Sequence, residues 1–191
     1  MKKQILLIGG GGHCRSAIDV IEQENKFEIV GIIDKKELVG SDVLGYKILG
    51  SDEDLKDLHQ HYHYALITVG QIKSPEIRIK LFEMLKLLGY ELPVVISPLA
   101  YVSKHANVRE GSIIMHHALV NANAHVEKNC IINTKALIEH DAIIEEYCHI
   151  STGAIVNGGV HVKAGTFYGS NATCKEYVHV SGFVKAGSVL K

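Results

Sequence analysis

The sequence predicts two domains of different classes, a small half-Rossmann-like α/β domain followed by a left-handed parallel β-helix. Three observations predict this arrangement. An apolar strand runs into a glycine loop near the amino terminus, strand and helix patterns alternate over the first half, and a strict six-residue period fills the second half. We therefore expect an α/β domain over residues 1–95 and a β-helix of hexapeptide repeats over residues 96–191.

The first half alternates between strand and helix patterns. This βαβαβα order predicts a small parallel sheet that binds ligands at the carboxyl ends of its strands. Residues 35–51 are punctuated by glycine and their pattern defines no clear element. The predicted elements are a strand at 4–8, a helix near 14–24, a strand at 27–34, a short capped helix over 51–58, a strand from Tyr64 to Gly70 and Gln71, and a helix capped by Ser74-Pro75-Glu76 that stops at Gly89.

The stretch "LLIGGGGHCRSA" predicts a phosphate-binding loop. Backbone N–H groups at a glycine-rich helix start can bind phosphate, and Asp34, which ends the second strand, can accept from a ribose or sugar hydroxyl. The GxGxxG fingerprint of dinucleotide sites fails, because its third glycine falls at Cys14 or Arg15. A mononucleotide carrier fits this size better than NAD. The alternative is a glycine turn that only packs the helix against the strand.

From residue 99 onward the sequence divides into blocks of six. Neither a helix nor an alternating strand produces a strict period of six, whereas hexapeptide repeats are typical of parallel β-helices. Three blocks form one triangular coil of about 18 residues, and coils stack at about 4.8 Å. The fourth position of each block, which we expect to fill the interior, is Val102, Val108, Ile114, Val120, Val126, Ile132, Ile138, Ile144, Ile150, Val156, Val162, Tyr168, Cys174 or Val180.

The cysteines and most histidines have structural explanations in this repeat. Cys130, Cys148 and Cys174 fall on inward positions, and the cysteine spacing indicates neither zinc nor a redox motif. His125, His161 and His179 precede inward positions, so we expect them to stack on one outer face as a solvated or interface ladder. A zinc site of the γ-carbonic-anhydrase type is the alternative use of these histidines, but no spacing demands it, and we expect no metal.

His140 differs from the other histidines because it falls in a turn, within "ALIEHDAII". Asp141 follows directly, and a carboxylate beside an imidazole can hold one ring nitrogen and leave the other to take a proton. His149 precedes a glycine-bearing stretch where a ligand can lie close to the backbone. Taken alone, the string "EHD" is a weak signal.

Three features together resemble a known family: "IGGGGH", "NTKALIEHDAIIEEYCHISTGA" and the unbroken hexapeptides. The sequence resembles bacterial hexapeptide-repeat acetyltransferases that act on nucleotide-linked amino sugars and sialic-acid-like sugars, in the bacillosamine, legionaminic-acid and sialic-acid pathways. The resemblance covers nearly the whole chain and implies a homotrimer with coenzyme between neighbouring prisms. Members usually continue past the last coil with a "G-x-P-A"-like tail, where this sequence has "AGSVLK".

The resemblance also implies residue roles. His140 is the expected general base and Asp141 the residue that tunes it. The expected ligand contacts are acetyl-CoA at His149, Asn157, Gly158, Gly169 and Ser170, and the nucleotide sugar at Gly11, Gly12, His13, Asp34, Gly70 and Asn133.

The resemblance implies direct transfer of an acetyl group from acetyl-CoA to the amino group of a UDP- or GDP-linked 4-amino-4,6-dideoxy sugar. Two alternatives stay open, O-acetylation of a sialic acid or related sugar and a non-catalytic nucleotide-sugar-binding protein. Composition limits the remaining partners, because a net charge of −1 lacks the basic excess that nucleic-acid or anionic-membrane binding requires. The sequence has no run of 18 apolar residues, and the apolar part of "MKKQILLIGGGG" is too short for a signal peptide, so we expect a cytoplasmic protein.

Overall fold

The computed structural model describes residues 2–191. The chain forms two compact units. The first comprises the residues up to Gly70 together with Ile77–Pro93, and the second comprises Gln71–Glu76 and Val94–Lys191. The short segment Gln71–Glu76 therefore belongs with the carboxyl-terminal unit although it lies within the first half of the sequence. The domain boundary between residues 95 and 96 stays a prediction.

The first unit is an α/β fold around one five-stranded sheet. Its strands lie in the order β3-β4-β2-β1-β5, and every pair is parallel except β3 with β4. The elements in chain order are β1 (Lys3–Ile8), α1 (Gly12–Glu24), β2 (Phe27–Ile33), a 3₁₀ turn (Lys36–Leu38), β3 (Asp42–Val43), β4 (Tyr46–Gly50), a 3₁₀ turn (Asp52–Asp54), α2 (Leu55–Leu58), β5 (Tyr64–Ile67) and α3 (Glu76–Leu87).

The β3–β4 hairpin lies in the segment whose pattern defined no element. Its two turn residues, Leu44 and Gly45, both have positive φ angles, of 50° and 87°. Tight hairpins prefer this backbone conformation, and they usually place asparagine or aspartate before the glycine. Because leucine stands at that position, the sequence lacks the usual turn signal and does not predict the hairpin.

The prediction that the third strand extends to Gly70 and Gln71 is wrong, because β5 ends at Ile67. The next residue, Thr68, donates its hydroxyl to the carbonyl of Gly9 at 2.7 Å. Gly9 has a φ of 103°, and a Cβ there would overlap the side chain of Val69. The residues that follow β5 therefore contact the start of the glycine loop.

The second unit contains seventeen strands of two residues each among the described residues. They form three parallel sheets, so the predicted left-handed β-helix is confirmed. The strands are β6 (Val95–Ile96), β7 (Tyr101–Val102), β8 (Asn107–Val108), β9 (Ile113–Ile114), β10 (Leu119–Val120), β11 (His125–Val126), β12 (Ile131–Ile132), β13 (Leu137–Ile138), β14 (Ile143–Ile144), β15 (His149–Ile150), β16 (Ile155–Val156), β17 (His161–Val162), β18 (Phe167–Tyr168), β19 (Thr173–Cys174), β20 (His179–Val180), β21 (Phe183–Val184) and β22 (Val189–Leu190).

The three faces of the column repeat every third strand. Sheet one contains β6, β9, β12, β15, β18 and β21; sheet two contains β7, β10, β13, β16, β19 and β22; sheet three contains β8, β11, β14, β17 and β20. Val120 pairs with Ile138 and Val126 with Ile144, so each residue pairs with its equivalent one predicted coil later. The predicted inward positions form one continuous buried core, with Val102 and Val108 packed against it at the first coil.

The last coil is shorter than the repeat predicts. Phe183 pairs with Phe167, because the link from β20 to β21 contains only Ser181 and Gly182, whereas the links between earlier strands each contain four residues. Gly182 has a φ of 75°, which permits this tight turn. Elsewhere, no helix in the described part of the chain is long and apolar enough to span a membrane.

Candidate active site

Four of the predicted site residues lie along one edge of the β-helix. We call this the His140 edge; it consists of the turns that connect sheet two to sheet three at residues 103–106, 121–124, 139–142, 157–160 and 175–178. His140 and Asp141 share one of these turns, and Asn157 and Gly158 occupy the next. The coil repeat alone brings them together, since equivalent positions in successive coils stack.

His140 and Asp141 form a hydrogen-bonded pair. The ring Nδ1 lies 2.8 Å from Asp141 Oδ2, and the carboxylate can only accept, so Nδ1 carries the proton. The Asp141 carboxylate raises the pKa of His140, mainly through this hydrogen bond. No described residue forms a hydrogen bond with His140 Nε2. The neutral ring therefore presents an unprotonated Nε2 to solvent, which is the arrangement a general base requires.

The turn geometry places the carboxylate. Asp141 has a φ of 61°, a conformation that aspartate and asparagine adopt more readily than other non-glycine residues. Its second oxygen, Oδ1, accepts a hydrogen bond of 2.7 Å from Asn123 Nδ2 in the preceding coil. This contact and the one to His140 lower the pKa of Asp141, so the carboxylate stays charged.

Gly158 provides the space for the His140 ring. A Cβ at Gly158 would lie 2.8 Å from His140 Cε1 and 2.9 Å from Nε2, closer than carbon atoms approach in folded proteins. Gly158 does not have a positive φ, so its backbone would accept other residues. Asn157 beside it donates to the carbonyl of Cys174 at 2.6 Å. Glycine is thus needed here for the imidazole position.

The other predicted ligand residues of this unit lie at a second edge, in the turns from sheet one to sheet two or, for His149, on the sheet-one strand that leads into such a turn. His149 is only 7% exposed, and its Nδ1 donates to the backbone carbonyl of Gln71 at 2.6 Å. Its Nε2 accepts from Asn133 Nδ2 at 3.0 Å. These two partners define a neutral ring with a fixed tautomer. Sequence analysis missed Gln71, because it is distant from His149 along the chain and lies outside the repeat.

Gly169 and Ser170 also occupy this second edge. A Cβ at Gly169 would lie 2.6 Å from the carbonyl oxygen of Val184, so close passage of the last coil explains the glycine. The Ser170 hydroxyl lies 2.9 Å from that of Ser151. Within one chain, the structure therefore brings Asn157 and Gly158 to His140, while it places His149, Asn133, Gly169 and Ser170 at a different edge.

In the first unit, the carboxyl ends of the parallel strands form a cavity of about 670 Å³. Gly11, Asp34 and Gly70 are among its lining residues. Gly11 caps α1 and Gly12 begins it, and open space surrounds the position of a Cβ at either residue. The helix start therefore has room for a phosphate close to its backbone.

Asp34 also shapes the glycine loop. Its Oδ2 accepts from the Gly10 N–H at 2.5 Å, and its Oδ1 accepts from the Lys35 N–H at 2.7 Å. A carboxylate has further lone pairs, so these bonds leave capacity for a ligand hydroxyl. His13 is not among the lining residues of the cavity, but its Cβ lies next to Gly70.

The three histidines of the predicted ladder and the three cysteines of the β-helix lie where the repeat predicts. His125, His161 and His179 lie on sheet three, and Glu145 accepts from His161 Nε2 at 2.6 Å. Among residues 2–191, no three histidine, cysteine, aspartate or glutamate side chains are arranged to hold a metal ion. All four cysteines are buried, and the Cys130 thiol together with burial raises the pKa of Cys148.

A hexapeptide β-helix with an imidazole–carboxylate pair on its edge defines the class of hexapeptide-repeat acyltransferases. Residues 4–85 match the family model described as the PglD N-terminal domain. No curated protein sequence shows significant similarity to the chain.

Solved structures match the whole chain. The acetyltransferase domain of PglB from Neisseria gonorrhoeae FA1090 is 27% identical and matches with a TM-score of 0.92 over 100% of this chain and 92% of its own. The same domain in complex with acetyl coenzyme A matches with a TM-score of 0.90 at 26% identity, over 100% and 93% of the two chains.

A histidine-to-asparagine variant of perosamine N-acetyltransferase from Caulobacter crescentus, in complex with CoA and GDP-perosamine, has a TM-score of 0.91 at 27% identity. The match covers 98% of this chain and 88% of that one. These matches confirm the resemblance to nucleotide-sugar acetyltransferases with hexapeptide repeats, and they support an acyltransferase.

Proposed function

We propose that the protein transfers the acetyl group of acetyl-CoA to the amino group of a UDP- or GDP-linked 4-amino-4,6-dideoxy sugar. The observation that carries this proposal is the His140–Asp141 pair, in which the carboxylate holds Nδ1–H, so that Nε2 of the neutral ring is free to take a proton at the exposed edge of the β-helix. The similar structures support the choice of substrates, because one is bound to acetyl coenzyme A and another to CoA and GDP-perosamine.

The reaction needs one proton removed and one returned. The sugar amine attacks the thioester carbonyl and forms a C–N bond, while His140 Nε2 takes a proton from the amine. The C–S bond then breaks, and His140 returns the proton to the departing thiolate, which leaves as the free thiol of CoA. General-base catalysis of this kind contributes about 10²–10⁴-fold, and positioning of the two substrates supplies much of the rest.

The burial of the cysteines agrees with direct transfer of the acetyl group. An acyl-enzyme formed on cysteine would require an accessible thiolate, and all four thiols are buried. Burial raises the pKa of Cys14, and burial with the Cys130 contact raises the pKa of Cys148, so neither ionises readily.

We assign nucleotide-sugar binding to the strand-end cavity of the first unit. The N–H groups of Gly11, Gly12 and His13 at the start of α1 would bind the phosphates, and Asp34 would accept from a ribose or sugar hydroxyl. Gly70, which has no side chain, leaves space in the cavity wall beside His13. The cavity volume of about 670 Å³ suits a mononucleotide with its sugar.

We assign acetyl-CoA to the β-helix. Asn157 and Gly158 would contact it beside the base, and Gly169 and Ser170 would line the path of its pantetheine arm. His149 would contact the coenzyme near the thioester, while Asn133 would contact the sugar. The hydrogen bond between His149 and Asn133 supports their action as a pair toward the two reactants.

The assembly and location belong to the same proposal. We propose a cytoplasmic homotrimer with coenzyme between neighbouring prisms. In this trimer the His140 edge of one copy and the second edge of its neighbour would contact the same pair of substrates. The separation of the predicted coenzyme residues onto two edges of a single chain supports this arrangement.

The experiment that tests the function is incubation of the protein with acetyl-CoA and a panel of UDP- and GDP-linked 4-amino sugars, with sialic acid as the hydroxyl acceptor. Thiol release and product mass are measured. We expect thiol release and a mass gain of one acetyl group with an amino sugar. Acetylation of sialic acid alone would contradict N-acetylation, and the absence of both turnover and acetyl-CoA binding would favour a non-catalytic nucleotide-sugar-binding protein.

The pH dependence of kcat/KM reports the state of His140. A general base must be neutral, so activity rises as pH rises through its pKa. Because Asp141 raises that pKa, we expect the acidic limb of the wild-type profile above the ordinary histidine value of about 6.5. Asp141→Asn keeps the shape and the left-handed turn but removes the charge, so the limb should move to lower pH. An unmoved limb would mean that Asp141 does not act on the base.

A further inference from the structure

The His140–Asp141 pair is largely exposed to solvent. The two side chains are 54% and 51% exposed, so water competes for both ends of their hydrogen bond. Exposed ion pairs of this kind contribute little by themselves, and their side chains retain several rotamers. A second contact on the carboxylate would restrict its rotation and so favour one tautomer and one orientation of His140.

Asn123, which is also exposed, makes such a second contact. Its Nδ2 donates to Asp141 Oδ1 at 2.7 Å, while Oδ2 of the same carboxylate accepts from His140. The amide nitrogen is the only side-chain donor of an asparagine, so the orientation of this amide follows from its acceptor. With one partner on each oxygen, the carboxylate cannot rotate about its final bond without losing one of them.

The β-helix backbone holds Asn123 in place for this contact. Asn123 and Asp141 occupy equivalent positions in successive coils, with φ angles of 59° and 61°. The backbone N–H of Asn123 bonds to the carbonyl of His105 at 3.3 Å, and that of Asp141 bonds to the carbonyl of Ala122 at 3.2 Å. Two turns of the same conformation, stacked at about 4.8 Å, project their side chains in parallel.

We propose that Asn123 is a positioning residue, whose side-chain amide holds the Asp141 carboxylate in the orientation that keeps its other oxygen on His140. The electrostatics agree with this role. The Asn123 hydrogen bond is the largest influence that lowers the pKa of Asp141. Asp141 is the main group that raises the pKa of His140, and Glu139 is the other titratable group that raises it.

The kinetic part of the test rests on the proposed function of His140. Asn123→Gly removes the amide, and glycine accepts the left-handed backbone at no cost. We expect kcat to fall about fivefold, as loss of one hydrogen bond would produce, with KM little changed. In the Asp141→Gly background, where glycine keeps the left-handed turn and no carboxylate remains to be held, Asn123→Gly should have no further effect, because the two residues act through one contact.

A second measurement does not depend on turnover. The titration of His140, followed by NMR of its ring, should move to lower pH in Asn123→Gly, since a freed carboxylate supports the imidazolium less. Asn25→Gly is the matched control, an asparagine with the same φ of 59° at the end of α1, and it should leave the titration and kcat unchanged.

The outcomes separate the two proposals. An unchanged His140 titration in Asn123→Gly, or an equal loss of kcat in the Asp141→Gly background, would overturn the role of Asn123. Full turnover in His140→Ala together with a shifted titration in Asn123→Gly would overturn the general base and leave the positioning contact standing.

Discussion

Replacing His140 with alanine is expected to lower kcat by about 10²–10⁴-fold, the contribution typical of a general base. The substitution removes the ring nitrogen that takes the amine proton. Among the described residues only Asp141 forms a hydrogen bond with the ring, so no other hydrogen-bonded partner of His140 could replace it as the base. Since His140 is an exposed turn residue, the β-helix should keep its stability. Steady-state kinetics with acetyl-CoA and an amino-sugar acceptor measure the effect.

His105→Ala is the matched control for this substitution. His105 is an exposed histidine in a turn of the His140 edge, two coils before His140, and it has no proposed role. Its replacement should leave kcat near the wild-type value. Calorimetry with acetyl-CoA should show that His140→Ala still binds the coenzyme. Near-normal turnover of His140→Ala with both substrates bound would remove His140 from the mechanism.

Gly158→Ala should lower kcat by about 10²-fold although it adds a single methyl group. The new Cβ would fall 2.8 Å from the His140 ring, so the imidazole must move, and displacement of a catalytic group by about 1 Å has an effect of this size. The backbone at Gly158 has no positive φ, and His140 can move outward into solvent. We therefore expect an unchanged melting temperature and a large loss of turnover.

Comparison with a double variant tests whether the loss arises through His140. In the His140→Ala background the ring is absent, so Gly158→Ala should cause no further decrease in kcat. Additive losses would indicate that the methyl group blocks a substrate directly. A drop in melting temperature comparable to that of a core substitution would show that Gly158 serves the fold instead.

The repeat length of the β-helix predicts more neighbours of His140 and Asp141 than the sequence motifs alone indicate. Because equivalent positions recur once in every coil, the position of Asp141 points to Asn123 one coil earlier and to Gly159 one coil later. The same arithmetic indicates Gly158 beside His140. No comparable rule reaches Gln71, whose backbone carbonyl bonds His149, since it lies outside the repeat.

Two features of the first unit that the sequence pattern missed have different physical causes. The β3–β4 hairpin turns on Leu44, a residue that rarely takes a positive φ, so no turn signal marks it. Directly after the end of β5, the Thr68 hydroxyl bonds to Gly9, which is distant along the chain. Sequence patterns reveal periodicity and turn residues, but they do not reveal single hydrogen bonds between residues that are distant along the chain.

The sequence by itself determined the two fold classes, the inward positions of the β-helix and the pairing of His140 with Asp141, because each follows from a period or from adjacency along the chain. Only the tertiary structure decided that Asn123 holds the carboxylate, that His149 is enclosed by Gln71 and Asn133, and that Gly169 is needed by the shortened last coil. Those features depend on distances between separate segments, which side-chain packing sets and no local pattern encodes.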